Sequence, residues 1–217
     1  MPLVDIELSI NRSDLPSDVR AFLREAYLRV GRYVEESPIR ISGFVPSGFA
    51  TVYQSLRAIA DAKLAPGNSF CEWGSGFGVV ASLAAMLKYR AYGIEIERGL
   101  VDASKLLAVD FGLPVEFAHG SFIPPGGRAY ADEACAMSNA ELFWLVTDTD
   151  NAYCKLGLDP GDFDIVFAYP WPSEEHVIET LFARYAAVGA LLLTYNQFDS
   201  VRIQQKINER PGSYKGI

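Results

Sequence analysis

Residues 69–80 read Ser-Phe-Cys-Glu-Trp-Gly-Ser-Gly-Phe-Gly-Val-Val, and this stretch restricts the fold of the 217-residue chain more than any other. Its apolar start has the pattern of a short buried strand. Gly74, Gly76 and Gly78 then give a tight loop, because glycine tolerates positive φ and lets a ligand approach the backbone. Val79 to Leu87 has the length and apolarity of a buried helix. Strand, glycine loop and helix together form the first turn of a doubly wound nucleotide-binding sheet. The spacing excludes the dinucleotide fingerprint G-x-G-x-x-G/A, since position 79 is valine. Glu72, two residues before the first glycine, would also stand beside a pyrophosphate and repel it. A ligand with a cationic head and no phosphate fits instead.

The downstream pattern supplies the rest of such a sheet. Ala91 to Glu97 reads as a second strand ending in acids, and a carboxylate at its tip can accept from both hydroxyls of a ribose. Glu95 and Glu97 are the alternatives, because residues two apart share a face. Leu100 to Phe111 is expected to be helical and to stop at Gly112. Pro114 to Phe122 is expected to form the third strand and its exit. Asp164 to Ala168 is the fourth, and its carboxyl end puts Tyr169, Pro170 and Trp171 at the switch-point crevice. A helix following Glu174, Glu175 and His176 leads to a fifth strand, Ala190 to Tyr195, and Val201 to Ile207 can add another. Upstream, Ser17 caps a helix with Val19, Phe22, Leu23, Ala26 and Val30 on one face, and a second helix runs from about Phe49 to Leu64.

Glu72-x-Gly74-x-Gly76-x-Gly78 resembles motif I of the class I S-adenosylmethionine (SAM)-dependent methyltransferases. The likeness runs from Ser69 to about Tyr195 and includes Gly93-Ile94-Glu95, Gly120-Ser121 and the strand ending at Ala168. It implies an α/β, Rossmann-like doubly wound sheet with SAM as cofactor. Glu72, Gly74, Ser75, Gly76 and Gly78 would hold the methionine and ribose part, Glu95 the ribose, and Ile96, Ser121 and Phe122 the adenine. Ser121 replaces the family's usual aspartate, so it offers the adenine amino group an acceptor without charge. Tyr169 and Trp171 would orient the methyl acceptor. The nucleic-acid amino methyltransferases carry [DNS]-P-P-[YFW] there, whereas Tyr169-Pro170-Trp171-Pro172 lacks the acceptor side chain. The segments around Glu72 and Glu95 are also similar to Dot1-like and small protein-lysine methyltransferases.

One domain is expected, with residues 1–66 as a helical extension and 67–217 as the SAM-binding core. Residues 123–162 form an insert expected to define the substrate or a homodimer contact. The family's sheet carries two strands after the fifth, so its C-terminal edge is either shortened or completed from elsewhere. Nineteen basic against 27 acidic residues give a net charge of −8, which disfavours a nucleic-acid partner and suits a small-molecule or protein substrate. Two histidines and three scattered cysteines make no metal site and no disulfide framework. With no membrane-length apolar run and no signal-peptide pattern, a cytoplasmic location is expected. A non-catalytic SAM-binding module or subunit is the alternative function, and a nicotinamide-dependent oxidoreductase is the reading that Glu72 and Val79 oppose.

Overall fold

The computed structural model describes residues 2–36, 47–138, 151–171, 174–196 and 198–208. Seven strands form one sheet: β1 (Leu3–Asp5), β2 (Ser69–Trp73), β3 (Arg90–Glu95), β4 (Val115–His119), β5 (Ile165–Ala168), β6 (Leu191–Asn196) and β7 (Ser200–Lys206). Their order is β1-β7-β6-β5-β2-β3-β4. The five strands from β6 to the β4 edge are parallel, and β7 is antiparallel to both β6 and β1. From β2 the chain moves outward through β3 to β4, then returns to place β5 on the other side of β2. The β2/β5 boundary is therefore the switch point, where such sheets open a crevice beyond the strand ends.

The C-terminal edge is not shortened. Leu3, Val4 and Asp5 pair with Lys206, Gln205 and Gln204, so the amino terminus supplies the last strand. The Arg202 guanidinium fastens this edge by bridging Asp5, at 2.7 Å, and Glu179 on the neighbouring helix.

Helices cover both faces. On one side lie α1 (Ser17–Glu36), α2 (Phe49–Ala62), α3 (Val79–Met86) and α4 (Arg98–Asp110). The expected stripe of α1 is buried as Val19, Phe22, Leu23, Ala26 and Val30, the valine, leucine and phenylalanine side chains contributing about 1.5–3 kcal/mol each. On the other side lie α5 (Arg128–Ser138), α6 (Ala152–Leu156) and α7 (Glu175–Tyr185). The insert helix thus starts four residues before the expected Asp132, and its expected end at Val146 lies outside the described residues. The short α6 was not expected. Asn151 caps it by accepting from the Tyr153 and Cys154 amides. No helix among the described residues is long and apolar enough to cross a membrane.

Side chains alternate across the strands, so one sheet face carries Phe70 and Glu72 of β2 and the other Cys71 and Trp73. The α1–α4 face is the one that matters for the site. Phe70, Phe117, Phe167, Leu193 and Tyr195 all pack there. Phe117 fits because two glycines make room for it. A Cβ on Gly78 would lie 2.3 Å from its ring, and one on Gly93 would lie 2.6 Å away.

Candidate cofactor and acceptor site

The glycine loop is fixed from below. Ser75 donates its amide to the Ile94 carbonyl (2.9 Å), and Gly78 donates to the Ser75 carbonyl (2.7 Å). Gly74, Gly76 and Gly78 have φ of 68°, 52° and 64°, the left-handed region that glycine adopts without strain. Gly74 differs from Gly78 in its surroundings. Among the described residues, a Cβ added to Gly74 would meet nothing within 4 Å, so the backbone there faces space that they leave open.

Two buried carboxylates flank that space. Glu72 is 6% exposed and its Oε2 accepts from the Ala81 amide in the first turn of α3 (2.8 Å). Glu95 is also 6% exposed; its Oε2 accepts from Gly76 (2.7 Å) and its Oε1 from Glu97 (2.9 Å). The two candidate acids differ in their surroundings. Glu95 ties the second strand to the glycine loop, whereas Glu97 is exposed and precedes α4. Burial raises both carboxyl groups above their ordinary range, Glu72 well above it; for Glu72 the Ala81 amide opposes the rise and the nearby Glu95 adds to it. A cationic ligand in this space would relieve both. The buried Ser75 hydroxyl has no hydrogen-bond partner among the described residues.

The turn that carries Ser121 and Phe122 is closely held. Ser121 is buried and its Oγ already accepts from the Ile123 amide (3.1 Å), which leaves its proton free to donate. Phe122 stacks on Trp73 with ring centroids 5.4 Å apart and planes 11° from parallel, so one of its faces is occupied. The insert holds this turn in place: Tyr153 donates to the Phe122 carbonyl (2.7 Å), Lys155 to the His119 carbonyl (3.0 Å), and Asn151 bridges to Ser121. Ile96 is half-buried just past Glu95.

Across the switch point stands Tyr169. The register pairs Trp73 with both Ile94 and Ala168, and Ala168 with Thr194. The next residues are Glu95, Gly74, Tyr169 and Tyr195, a row along the carboxyl edge with open Gly74 at its centre. Tyr169 and Tyr195 meet edge to face, with centroids 4.9 Å apart. Trp171 is half-buried, and its amide donates to Glu174 Oε2 (2.9 Å) while the Glu174 amide donates back to the Trp171 carbonyl (2.8 Å). Glu174 is 6% exposed, and burial raises its carboxyl group. It is therefore a brace for the loop after β5, and more than an acid at a helix start. Ser47, just before α2, and Tyr53, within it, are both buried, and Tyr53 packs within the core.

The sequence reading missed Tyr195 and Glu174. Tyr195 ends its strand as Tyr169 follows its own, and that parallel was a usable signal. Burial of Glu174 had none, because acids in a helix's first turn are ordinarily solvated.

No protein-family model matches the sequence, and no curated protein matches it. Solved structures do. An RNA methyltransferase from Salinibacter ruber, in complex with S-adenosyl-L-homocysteine, is 17% identical over 78% of this chain and 97% of that one, with a TM-score of 0.51. A methyltransferase from Geobacter sulfurreducens is 16% identical over 90% of this chain and 92% of that one, with a TM-score of 0.50. Both likenesses span nearly the whole of the compared proteins, and the chain accordingly has the Rossmann-like α/β fold of the SAM-dependent methyltransferases.

Proposed function

We propose that the protein is a SAM-dependent methyltransferase acting on a small-molecule or protein acceptor. The observation that carries this reading is the open backbone of Gly74 between the buried carboxylates of Glu72 and Glu95. The residues fit the cofactor's chemistry. Glu95 keeps acceptor capacity for a ribose diol after taking the Gly76 and Glu97 amides. Glu72 lends negative charge near the cationic methionine part, and the Ser75 hydroxyl offers a further polar contact. Ile96, Ser121 and Phe122 would border the adenine, and Tyr169 and Trp171 the acceptor.

When bound, SAM supplies an electrophilic methyl group on a sulfonium. The chain's own contribution is alignment of the acceptor and exclusion of water. Tyr169 borders the slot from the acceptor side, and Glu174 fixes the loop that carries it. The Salinibacter ruber protein acts on RNA; the net charge of −8 does not favour that substrate here.

Replacing Glu95 by alanine removes its contacts to the ligand and leaves the Gly76 and Glu97 amides unpaired. Affinity for S-adenosylhomocysteine should fall about a hundredfold or more, as two hydrogen bonds to a charged group are worth roughly 3–6 kcal/mol. Calorimetry on wild type and Glu95→Ala checks this, with circular dichroism as the folding control. Equal binding by the two proteins would refute the ribose assignment.

A further inference from the structure

Beside the slot, the tip of the β6–β7 hairpin is built more elaborately than a connection needs. Asn196 Oδ1 accepts from the Phe198 amide (2.9 Å) and from the Ser200 hydroxyl (3.0 Å), which closes the turn. Asp199 sits in it with φ of 50°, a left-handed conformation that aspartate tolerates better than most residues. Its Oδ1 accepts from the Tyr195 hydroxyl (2.8 Å). Gly48, which starts α2, lets this pair come close: a Cβ there would lie 2.1 Å from Asp199 Oδ1 and 2.5 Å from the Tyr195 oxygen. Helix α2, the hairpin and the end of β5 therefore converge on one spot, where Tyr169 packs edge to face on Tyr195.

The charge at this spot is unambiguous. Burial and the neighbouring carboxylate push the Tyr195 phenol up to about 12, so it stays neutral and donates. Asp199 is exposed, and no hydrogen bond among the described residues occupies its Oδ2. Its carboxylate is thus tied through Oδ1 to Tyr195, whose side chain is 7% exposed and meets the half-buried Tyr169 edge to face. An exposed anion beside π faces is a receptor for an organic cation.

We infer that Tyr169, Tyr195 and Asp199 form the acceptor-recognition site and that the acceptor is an alkylamine bound as its ammonium ion; before transfer that ion gives one proton to bulk water, and the freed nitrogen lone pair forms the new C–N bond as the sulfonium C–S bond breaks and S-adenosylhomocysteine leaves. The inference rests on the methyltransferase reading and deepens it. The aromatic pair borders the Gly74 slot, so an ammonium held between Asp199 and the rings stands on the side of the slot opposite Glu95. The overall charge of −8 works in the same direction by attracting cations. Asp199 here is a recognition group for the acceptor.

The test is a ligand-observed NMR titration of the full chain with n-hexylammonium and, as the neutral isostere, n-hexanol. It is run with and without saturating S-adenosylhomocysteine. Wild type should bind the ammonium about tenfold more tightly than the alcohol, the scale of one ion contact plus a cation–π contact. Asp199→Asn and Tyr169→Leu should each erase most of that preference, and Asp199→Asn should still bind S-adenosylhomocysteine. The second variant keeps apolar packing, so the pair remains decisive if one of them fails to fold. Equal binding of the two probes by wild type, or an unchanged preference in both variants, would overturn the inference. Absence of S-adenosylhomocysteine binding by wild type would instead count against the cofactor reading, and the titration without it would still decide the ammonium site.

Discussion

Gly74 and Gly78 are four residues apart and equally left-handed, yet they serve different ends. Alanine at either position takes on the left-handed penalty of about 1–2 kcal/mol. At Gly74 nothing else is met among the described residues, so Gly74→Ala should cost only that amount of stability while its methyl group enters the proposed ligand space and abolishes S-adenosylhomocysteine binding. At Gly78 the new methyl group would run into the Phe117 ring, itself wedged against Gly93, and overpacking adds about 1–3 kcal/mol. Chemical denaturation of the two variants, read with their ligand affinities, checks this contrast. Equal destabilisation of both would remove the argument that Gly74 faces a ligand. At this scale the sequence was legible where chemistry restricts residue type. Glycine spacing and an acid at a strand tip picked out Glu72, Gly74, Gly76, Gly78 and Glu95. Glu95 and Glu97 share a strand face, so the pleat alone leaves both open; what sets Glu95 apart is its bond to the Gly76 amide in the glycine loop. Ser121 and Phe122 were harder, because the insert that reaches back to them, through Tyr153 and Asn151, is distant in sequence.

Among the elements, β1 is the instructive case. Its alternation from Leu3 was visible, but no local pattern tells a three-residue strand that its partner lies some 200 residues away. What secures it is the ladder to β7, the Ile6 amide on the Ile203 carbonyl (2.8 Å) and Asp5 on Arg202. Such a short strand also blunts the edge that β7 would otherwise offer to a second chain. Deleting residues 1–6 should lower the unfolding free energy by on the order of 2 kcal/mol, a few backbone bonds at about 1 kcal/mol each, and should promote concentration-dependent association. Denaturation and light scattering read the two effects. A truncated protein as stable and as monodisperse as its parent would show that β1 does not complete the sheet in solution. Lys206, at the other end of β7, illustrates what periodicity hides. It is 1% exposed, its ammonium donates to the Ala186 carbonyl at the end of α7, and burial lowers its pKa. A lysine is ordinarily read as surface, and only the helix end placed over it explains its burial.

For the molecule as a whole, the return of the chain across β2 organises everything else. It sets Glu95 and Tyr169 on opposite sides of Gly74, so on the proposed reading cofactor and acceptor would meet over the backbone between them. The order of parallel strands was readable because each strand and helix carries its own periodicity. The meeting of α2, the β6–β7 hairpin and the end of β5 was not, because it joins segments whose only common feature is position in the sheet. The central claim is that the space over Gly74 receives an adenosyl ligand. Calorimetric titration of the intact chain with S-adenosylhomocysteine, with NAD as the control, tests it most directly. A single site of micromolar affinity for the adenosyl ligand and no heat from NAD is the predicted result. No binding of S-adenosylhomocysteine, or tighter binding of NAD, would contradict the account.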